Sequence, residues 1–120
     1  MSILQNRKVL IADDDPYVVK FLFDIFTTWG WGSSIVCTGR ELYLLLSASN
    51  HRYDLVVADV NMPDWSGPEG VEMANTFGNN CPVIYITGDE MTQDIPEPHL
   101  LKPFSLDQLS ILVALITKEA

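Results

Sequence analysis

Aspartates stand directly after two short apolar runs of this chain. Residues 8–12 precede an aspartate triplet at residues 13–15, and residues 55–58 precede Asp59. If both runs are strands of one parallel sheet, their carboxyl ends meet at the edge where open α/β sheets bind ligands. Clustered carboxylates repel each other, and a hard divalent cation with oxygen ligands relieves that repulsion. The sequence therefore predicts a cation site, for which magnesium is the best candidate.

Two further polar residues follow apolar runs and are expected at the same edge. Thr87 closes the run at residues 82–86, and Lys102 stands just before Pro103. A hydroxyl donor and an ammonium group that face a metal-bound carboxylate can stabilise a phosphoryl group during its transfer. Carboxylates do accept phosphoryl groups as aspartyl phosphates. Asp59, on the predicted central strand, is therefore the expected nucleophile, with Lys102 and Thr87 as its catalytic partners.

The elements that must position these residues alternate along the chain. Apolar runs typical of buried strands are separated by amphipathic stretches, which predicts a doubly wound parallel sheet with helices on both faces. Asp15 and Pro16 are typical of a helix start, and Ser105 with Gln108 forms a candidate capping box for the last helix. Strands are predicted at residues 9–13, 33–37, 54–59, 82–87 and 99–101, and helices at 16–29, 40–48, 68–77 and from 105 onward.

The connection between the last two strands is short. Residues 88–98 number eleven and include Pro96 and Pro98, whereas a parallel crossover with its helix needs about a dozen residues or more. Proline also ends a helix. We therefore expect the helix between the fourth and fifth strands to be shortened or missing, with at most one or two turns at residues 90–95.

Length and composition limit the classes of protein that fit. The 120 residues predict one domain over residues 1–120, and the net charge of −9 argues against direct contact with nucleic acid or anionic lipid. No apolar stretch reaches the roughly 18 to 20 residues of a membrane span, and no signal peptide is evident, so a cytoplasmic location is expected. Cys37 and Cys81 are expected to act as small apolar residues rather than as a disulfide.

Four segments in the same order resemble the receiver domain of two-component response regulators. They are residues 9–16, residues 53–63 with Gly67, residues 82–88 and residues 101–104. The resemblance covers nearly the whole chain and implies a flavodoxin-like fold of five parallel strands in the order 2-1-3-4-5. It also implies that Asp59 accepts a phosphoryl group from the phosphohistidine of a histidine kinase or phosphotransfer protein.

The same resemblance assigns roles to the other site residues. Asp13 and Asp14 match the acidic pair that holds Mg²⁺ together with Asp59 and the main-chain carbonyl of Asn61. Thr87 matches the hydroxyl residue that binds the phosphoryl group and shifts when it arrives.

Lys102 matches the lysine that pairs with the phosphoryl group. His99 stands where the family usually has a tyrosine or phenylalanine that rotates as Thr87 moves. With the short fourth helix, this departure predicts an altered output to a downstream protein or a fused effector domain. The domain would catalyse its own phosphorylation and dephosphorylation rather than turn over a metabolite.

Three other functions are compatible with parts of the pattern. A pseudo-receiver would keep the fold as a phosphorylation-independent protein-binding module, although the complete set of site residues argues against it. A haloacid-dehalogenase-type phosphatase also uses an aspartate nucleophile and magnesium but ordinarily carries a cap, and a flavodoxin would need a phosphate-binding loop after its first strand. Neither feature is evident in the sequence.

Apolar residues outside the predicted core indicate candidate partner surfaces. Tyr17, Phe21 and Phe23 fall off the buried stripe of the first helix, and Ile111 and Leu115 lie on the outer side of the last one. Simple packing is the alternative explanation for both groups.

Overall fold

The sheet is fully parallel and has the strand order β2-β1-β3-β4-β5. A computed structural model describes residues 7–48, 52–88 and 95–117. The predicted fold class is confirmed, and so is the strand order that the resemblance implied. The strands are β1 (Lys8–Ala12), β2 (Gly32–Val36), β3 (Leu55–Asp59), β4 (Val83–Thr87) and β5 (His99–Leu101), and the helices are α1 (Pro16–Thr28), α2 (Gly39–Ser47), α3 (Gly67–Asn75) and α4 (Leu106–Thr117).

The helix starts follow the capping residues of the sequence. The Asp15 side chain accepts a hydrogen bond from the Tyr17 amide at the start of α1. Ser105 and Gln108 form the predicted capping box, each accepting through its side chain from the other's main-chain N–H. A second box pairs Ser66 with Glu69 and begins α3 one residue earlier than predicted. A capping side chain thus precedes each of these three helices.

The connection from β4 to β5 contains no helix in the part that the structure describes. The described chain has four helices, and none of them lies in this crossover. The predicted turns at residues 90–95 fall almost entirely outside the described residues, of which only Ile95 is described and is not helical. No helix in the described ranges is long and apolar enough to cross a membrane.

The core lies on both faces of the central strand. All five residues of β3 are buried, because helices cover the sheet on each side. Cys37, expected in a buried strand, is instead exposed one residue beyond β2, and both cysteines are free. One core layer includes Leu22, Phe26, Leu109 and Val113 from α1 and α4, and the other includes Leu42 and Val71 from α2 and α3.

Glycines allow the first turns of α2 and α3 to approach at backbone distance. A Cβ placed on Gly39 would lie 2.1 Å from the Trp65 carbonyl oxygen, and one on Gly70 would lie 2.5 Å from the Gly39 carbonyl oxygen. A Cβ on Gly67 would lie 2.2 Å from the carbonyl oxygen of Asp59. These distances are far below van der Waals contact, so the packing of the β3–α3 loop requires glycine at all three positions.

We expect Gly39→Ala to destabilise the protein by about 2 kcal/mol or more, because the added methyl group meets main-chain atoms that cannot rotate away. Urea unfolding followed by circular dichroism measures the change. Gly32→Ala is the matched control: its Cβ would find its nearest neighbour, Lys8 Cγ, at 3.8 Å. Equal effects of the two substitutions would contradict the proposed close contact.

Candidate functional site

Four strand ends bring the predicted site residues to one edge of the sheet. Asp13 follows β1, Asp59 ends β3, Thr87 ends β4 and Lys102 follows β5. Asp13 and Thr87 are fully buried, and Asp59 is 5% exposed. Since the strands are parallel, residues far apart in sequence meet here without any connection between them.

The carboxylates of Asp13, Asp14 and Asp59 form a compact cluster. One oxygen from each lies within 4.8 Å of the others, and Asp14 is the exposed member. The Lys102 ammonium lies 3.1 Å from Asp59 Oδ2 and 3.2 Å from Asp13 Oδ2. The Lys102 ammonium group therefore bridges the two buried carboxylates.

Main-chain amides fix the other oxygen of each buried carboxylate. The Asp15 N–H donates to Asp13 Oδ1 at 2.9 Å, and the Asn61 N–H donates to Asp59 Oδ1 at 3.2 Å. The Lys102 N–H donates to the Thr87 carbonyl oxygen at 2.7 Å, which continues the β4–β5 pairing into the site. The side chains of Asp13 and Asp59 are thus held by main-chain amides of the loops that follow their strands.

Burial and charge repulsion act together on Asp13. The pKa of its carboxyl group is raised to about 6, because desolvation and the nearby negative charge of Asp59 outweigh the lowering effects of the Asp15 amide and the Lys102 ammonium. Burial lowers the pKa of Lys102, but the attraction of Asp13 and Asp59 outweighs it, so the net shift is upward. Lys102 therefore stays charged at neutral pH, whereas Asp13 ionises at a cost.

The cluster has the chemistry of a site for a hard divalent cation. Asp13 Oδ2 is buried and accepts no hydrogen bond from the described residues. Among those residues, it forms only the ion pair with Lys102. Carboxylate oxygens are the ligands that Mg²⁺ takes in proteins. The donor set thus fits magnesium, and an oxygen without a hydrogen bond is available to it.

Two predicted residues are placed differently from the rest. Asn61 is exposed, and its main-chain N–H binds Asp59; a metal-binding role for its carbonyl stays a prediction. His99 begins β5 opposite Tyr85, two residues before the level at which Leu101 pairs with Thr87. Its Nδ1 lies 3.2 Å from Glu97 Oε2. His99 is therefore outside the carboxylate cluster, and its role in switching stays a prediction.

Asp64 positions the loop and was not recognised from the sequence. Its backbone is in the left-handed region, with φ of 62°. Its Oδ1 accepts from the Arg40 N–H at 3.3 Å and from the Trp65 N–H. Asp64 thereby ties the loop after Asp59 to the first turn of α2. The signal was available, because an aspartate after a proline is typical of a turn.

We expect Asp13→Asn to stabilise the magnesium-free protein by about 1–3 kcal/mol at pH 8. A raised pKa means that folding favours the protonated carboxyl, so the cost of ionisation is absent below pH 3.8, grows between pH 3.8 and about 6, and is complete above. The advantage of asparagine should fall by roughly half at pH 5. Urea unfolding at both pH values measures it.

The exposed Asp107, in the first turn of α4, provides the control. Asp107→Asn should change stability by less than about 0.5 kcal/mol at either pH. Destabilisation by Asp13→Asn at pH 8 would show that the carboxylate is better compensated than its burial indicates.

Comparison with known proteins places this chain among signalling domains. The sequence matches the family model for the response regulator receiver domain over residues 9–114. It is 31% identical over 121 residues to the transcription factor SKN7 of Saccharomyces cerevisiae, covering 94% of this chain and 19% of that protein. It is 30% identical over 112 residues to the two-component response regulator ARR11 of Arabidopsis thaliana, covering 88% of this chain and 21% of that protein. The chain thus spans about a fifth of these relatives.

Solved structures agree with this fold. The receiver domain of Francisella response regulator 1452 superposes with a TM-score of 0.81 at 30% identity, covering 94% of this chain and 98% of that one. The receiver domain of a Pseudomonas aeruginosa sensor histidine kinase, described with a magnesium ion coordinated in its active-site cleft, gives 0.85 at 18% identity, covering 95% and 99%. Because the family model covers most of the sequence and the fold agrees, this chain belongs to the response regulator receiver domain family.

Proposed function

We propose that this chain is a phosphoacceptor receiver domain in which Asp59 takes a phosphoryl group from the phosphohistidine of a histidine kinase or phosphotransfer protein. The observation that carries the proposal is the placement of the Asp59 carboxylate. It is 5% exposed, lies 3.1 Å from the Lys102 ammonium and shares its sheet edge with Thr87 and two further aspartates. A buried nucleophile beside a fixed cation is suited to phosphoryl transfer.

The transfer balances as a displacement at phosphorus. A carboxylate oxygen of Asp59 forms the new P–O bond while the P–N bond to the donor imidazole breaks, and the bonding electron pair leaves with the imidazole nitrogen. The Lys102 ammonium is placed to balance negative charge on the phosphoryl oxygens, and the Thr87 hydroxyl is proposed to donate to one of them. Hydrolysis then breaks the P–O bond to Asp59: water attacks phosphorus, the Asp59 carboxylate leaves, and inorganic phosphate is released.

Asp13, Asp14 and Asp59 would hold Mg²⁺, with the main-chain carbonyl of Asn61 as the proposed fourth protein ligand. The ion supplies charge neutralisation for the phosphoryl oxygens. The chain's own contribution is the fixed geometry: the amides of Asp15 and Asn61 orient two of the carboxylates before any ligand arrives. Preorganised groups of this kind lower the barrier because they need not reorient during reaction.

Intact-protein mass after incubation with acetyl phosphate tests the chemistry. We expect the native chain to gain one phosphoryl group in the presence of magnesium and none in its absence. Asp59→Asn should abolish the gain, and Lys102→Ala should slow it by about 10²-fold, because a donor to the developing charge is lost. Asp107→Asn, which changes an exposed carboxylate outside the site, should react as the native chain does.

An adduct that survives in Asp59→Asn would disprove the assignment of the nucleophile. A native chain that gains no mass, and whose tryptophan fluorescence does not respond to magnesium, would instead be a pseudo-receiver that acts by binding alone.

The donor protein is proposed to approach over the outer side of α1. A groove of about 460 Å³ lies there, lined by Tyr17, Phe21 and Phe104 and bordered by Lys102 of the site. Tyr17 is 85% exposed, and Phe21 packs edge-to-face on Phe104 with ring centroids 5.7 Å apart. Because this apolar groove is continuous with the site, a bound partner could present its phosphohistidine to Asp59.

Tyr17→Ala separates docking from chemistry. We expect it to slow transfer from a phosphorylated histidine phosphotransfer protein by about tenfold, with phosphorylation by acetyl phosphate unchanged, because the small donor needs no docking surface. Radiolabel transfer in the presence of magnesium measures the first rate. Leu115→Ala, on the outer side of α4, is the matched control, since Leu115 is also largely exposed. An equal loss with both donors would place Tyr17 in the chemistry instead.

A further inference from the structure

A second apolar surface lies across α2 and α3, away from the proposed donor groove. Tyr43 on α2 contacts the Trp65 ring at a centroid distance of 5.4 Å and the Phe77 ring at 6.1 Å. Phe77 is 68% exposed, and Met73 is 42% exposed. We define the α2–α3 face as Tyr43, Trp65, Glu69, Glu72, Met73 and Phe77.

A groove of about 450 Å³ runs along this face. It is lined by Trp65, Glu69, Glu72, Met73 and Thr76, with no lysine or arginine among its described lining residues. Glu69, Glu72 and Met73 follow helical spacing, so that two acidic groups and one apolar group lie along one side of α3, with Trp65 before the helix start. The groove therefore combines an aromatic wall with two carboxylates.

Glu72 is the carboxylate most available to a partner. Glu69 already accepts the Ser66 N–H through Oε1 in the capping box. The Glu72 side chain, in contrast, is exposed and has no hydrogen bond or ion pair in the described part of the chain. An ammonium or guanidinium group placed between Glu72 and the Trp65 ring would gain both an ion pair and a cation–π contact.

The charge of the groove selects among occupants. A second copy of this chain would bring two acidic faces together, and the net charge of −9 repels phosphate backbones and anionic lipid. A cationic protein segment with apolar residues on one side matches both features. The nine residues of α3 give a surface about 14 Å long, which suits two or three turns of a helix.

We propose that the α2–α3 face binds a basic amphipathic helix of a partner protein. The apolar side of that helix would lie on Trp65, Met73 and Phe77, and a lysine or arginine would pair with Glu72. This function goes beyond phosphorylation of Asp59 and does not depend on it. It gives the domain a contact surface built on the β3–α3 loop and α3.

Fluorescence anisotropy with a labelled helical peptide of about 14 residues, with leucine on one side and lysine on the other, tests the proposal. We expect Glu72→Lys to weaken binding by about tenfold. Asp107→Lys changes the net charge equally on α4 and should alter affinity less than about twofold. Among apolar residues, Phe77→Ser is expected to weaken binding by about tenfold. Leu115→Ser is the matched control and should have little effect, since the Phe77 and Leu115 side chains are 68% and 69% exposed.

Equal weakening by Glu72→Lys and Asp107→Lys would mean that the peptide follows net charge, and it would overturn the proposal. Amide chemical shifts that change on α1 or α4 rather than on the α2–α3 face would also overturn it. Sedimentation that shows a dimer dispersed by Phe77→Ser would assign the face to a second copy instead. Because the unphosphorylated chain is used throughout, these results are independent of whether Asp59 accepts phosphate.

Discussion

The interaction on which the site depends is the contact of one lysine with two buried carboxylates. Asp13 and Asp59 come from neighbouring strands of the sheet centre, where burial makes ionisation costly, and Lys102 provides the cation that lies within 3.2 Å of both. One positive charge does not balance three clustered aspartates, and burial together with the charge of Asp59 raises the pKa of Asp13. The excess negative charge is a stability cost in the free protein, and it is also the feature that suits the cluster to a divalent cation.

The β3–α3 loop and its contacts with α2 hold Asp59 in this arrangement. The β3–α3 loop carries the Asn61 amide that binds Asp59, and the same loop is fastened to α2 by Asp64 and by the close contacts at Gly39. Side chains larger than glycine at those contacts would push the loop away from the sheet. The packing of α2 against α3 therefore helps to fix the Asn61 amide, and with it the position of one carboxylate oxygen of Asp59.

The strand-end residues could be predicted because parallel strands necessarily share an edge. An apolar run precedes each of the four residues Asp13, Asp59, Thr87 and Lys102. The alternation of strands and helices was therefore sufficient to predict that they lie at one edge of the sheet. The caps at Asp15 and Ser105 were equally evident, since they depend on local residue types. The turn at Asp64 could have been predicted from its neighbours. Its hydrogen bond to α2 and the aromatic contacts of Tyr43 could not, because they arise where two helices meet and no local sequence pattern encodes that contact. The short β5 could be predicted from the spacing of the prolines. The exposure of Cys37 could not, because β2 ends one residue earlier than predicted, and a shift of one residue decides whether a side chain at a strand end is buried.

The hydrogen bond from the Lys102 amide to the Thr87 carbonyl, at 2.7 Å, makes two site residues members of one ladder. A displacement of the hydroxyl-bearing strand end cannot occur without pulling on the segment that carries the cation. The position of the Lys102 charge and the position of the β4 end are therefore coupled in this protein. β5 has only three residues and lies at the edge of the sheet, so few contacts resist its movement. A change of charge at the carboxylates would therefore act directly on the outer edge of the sheet.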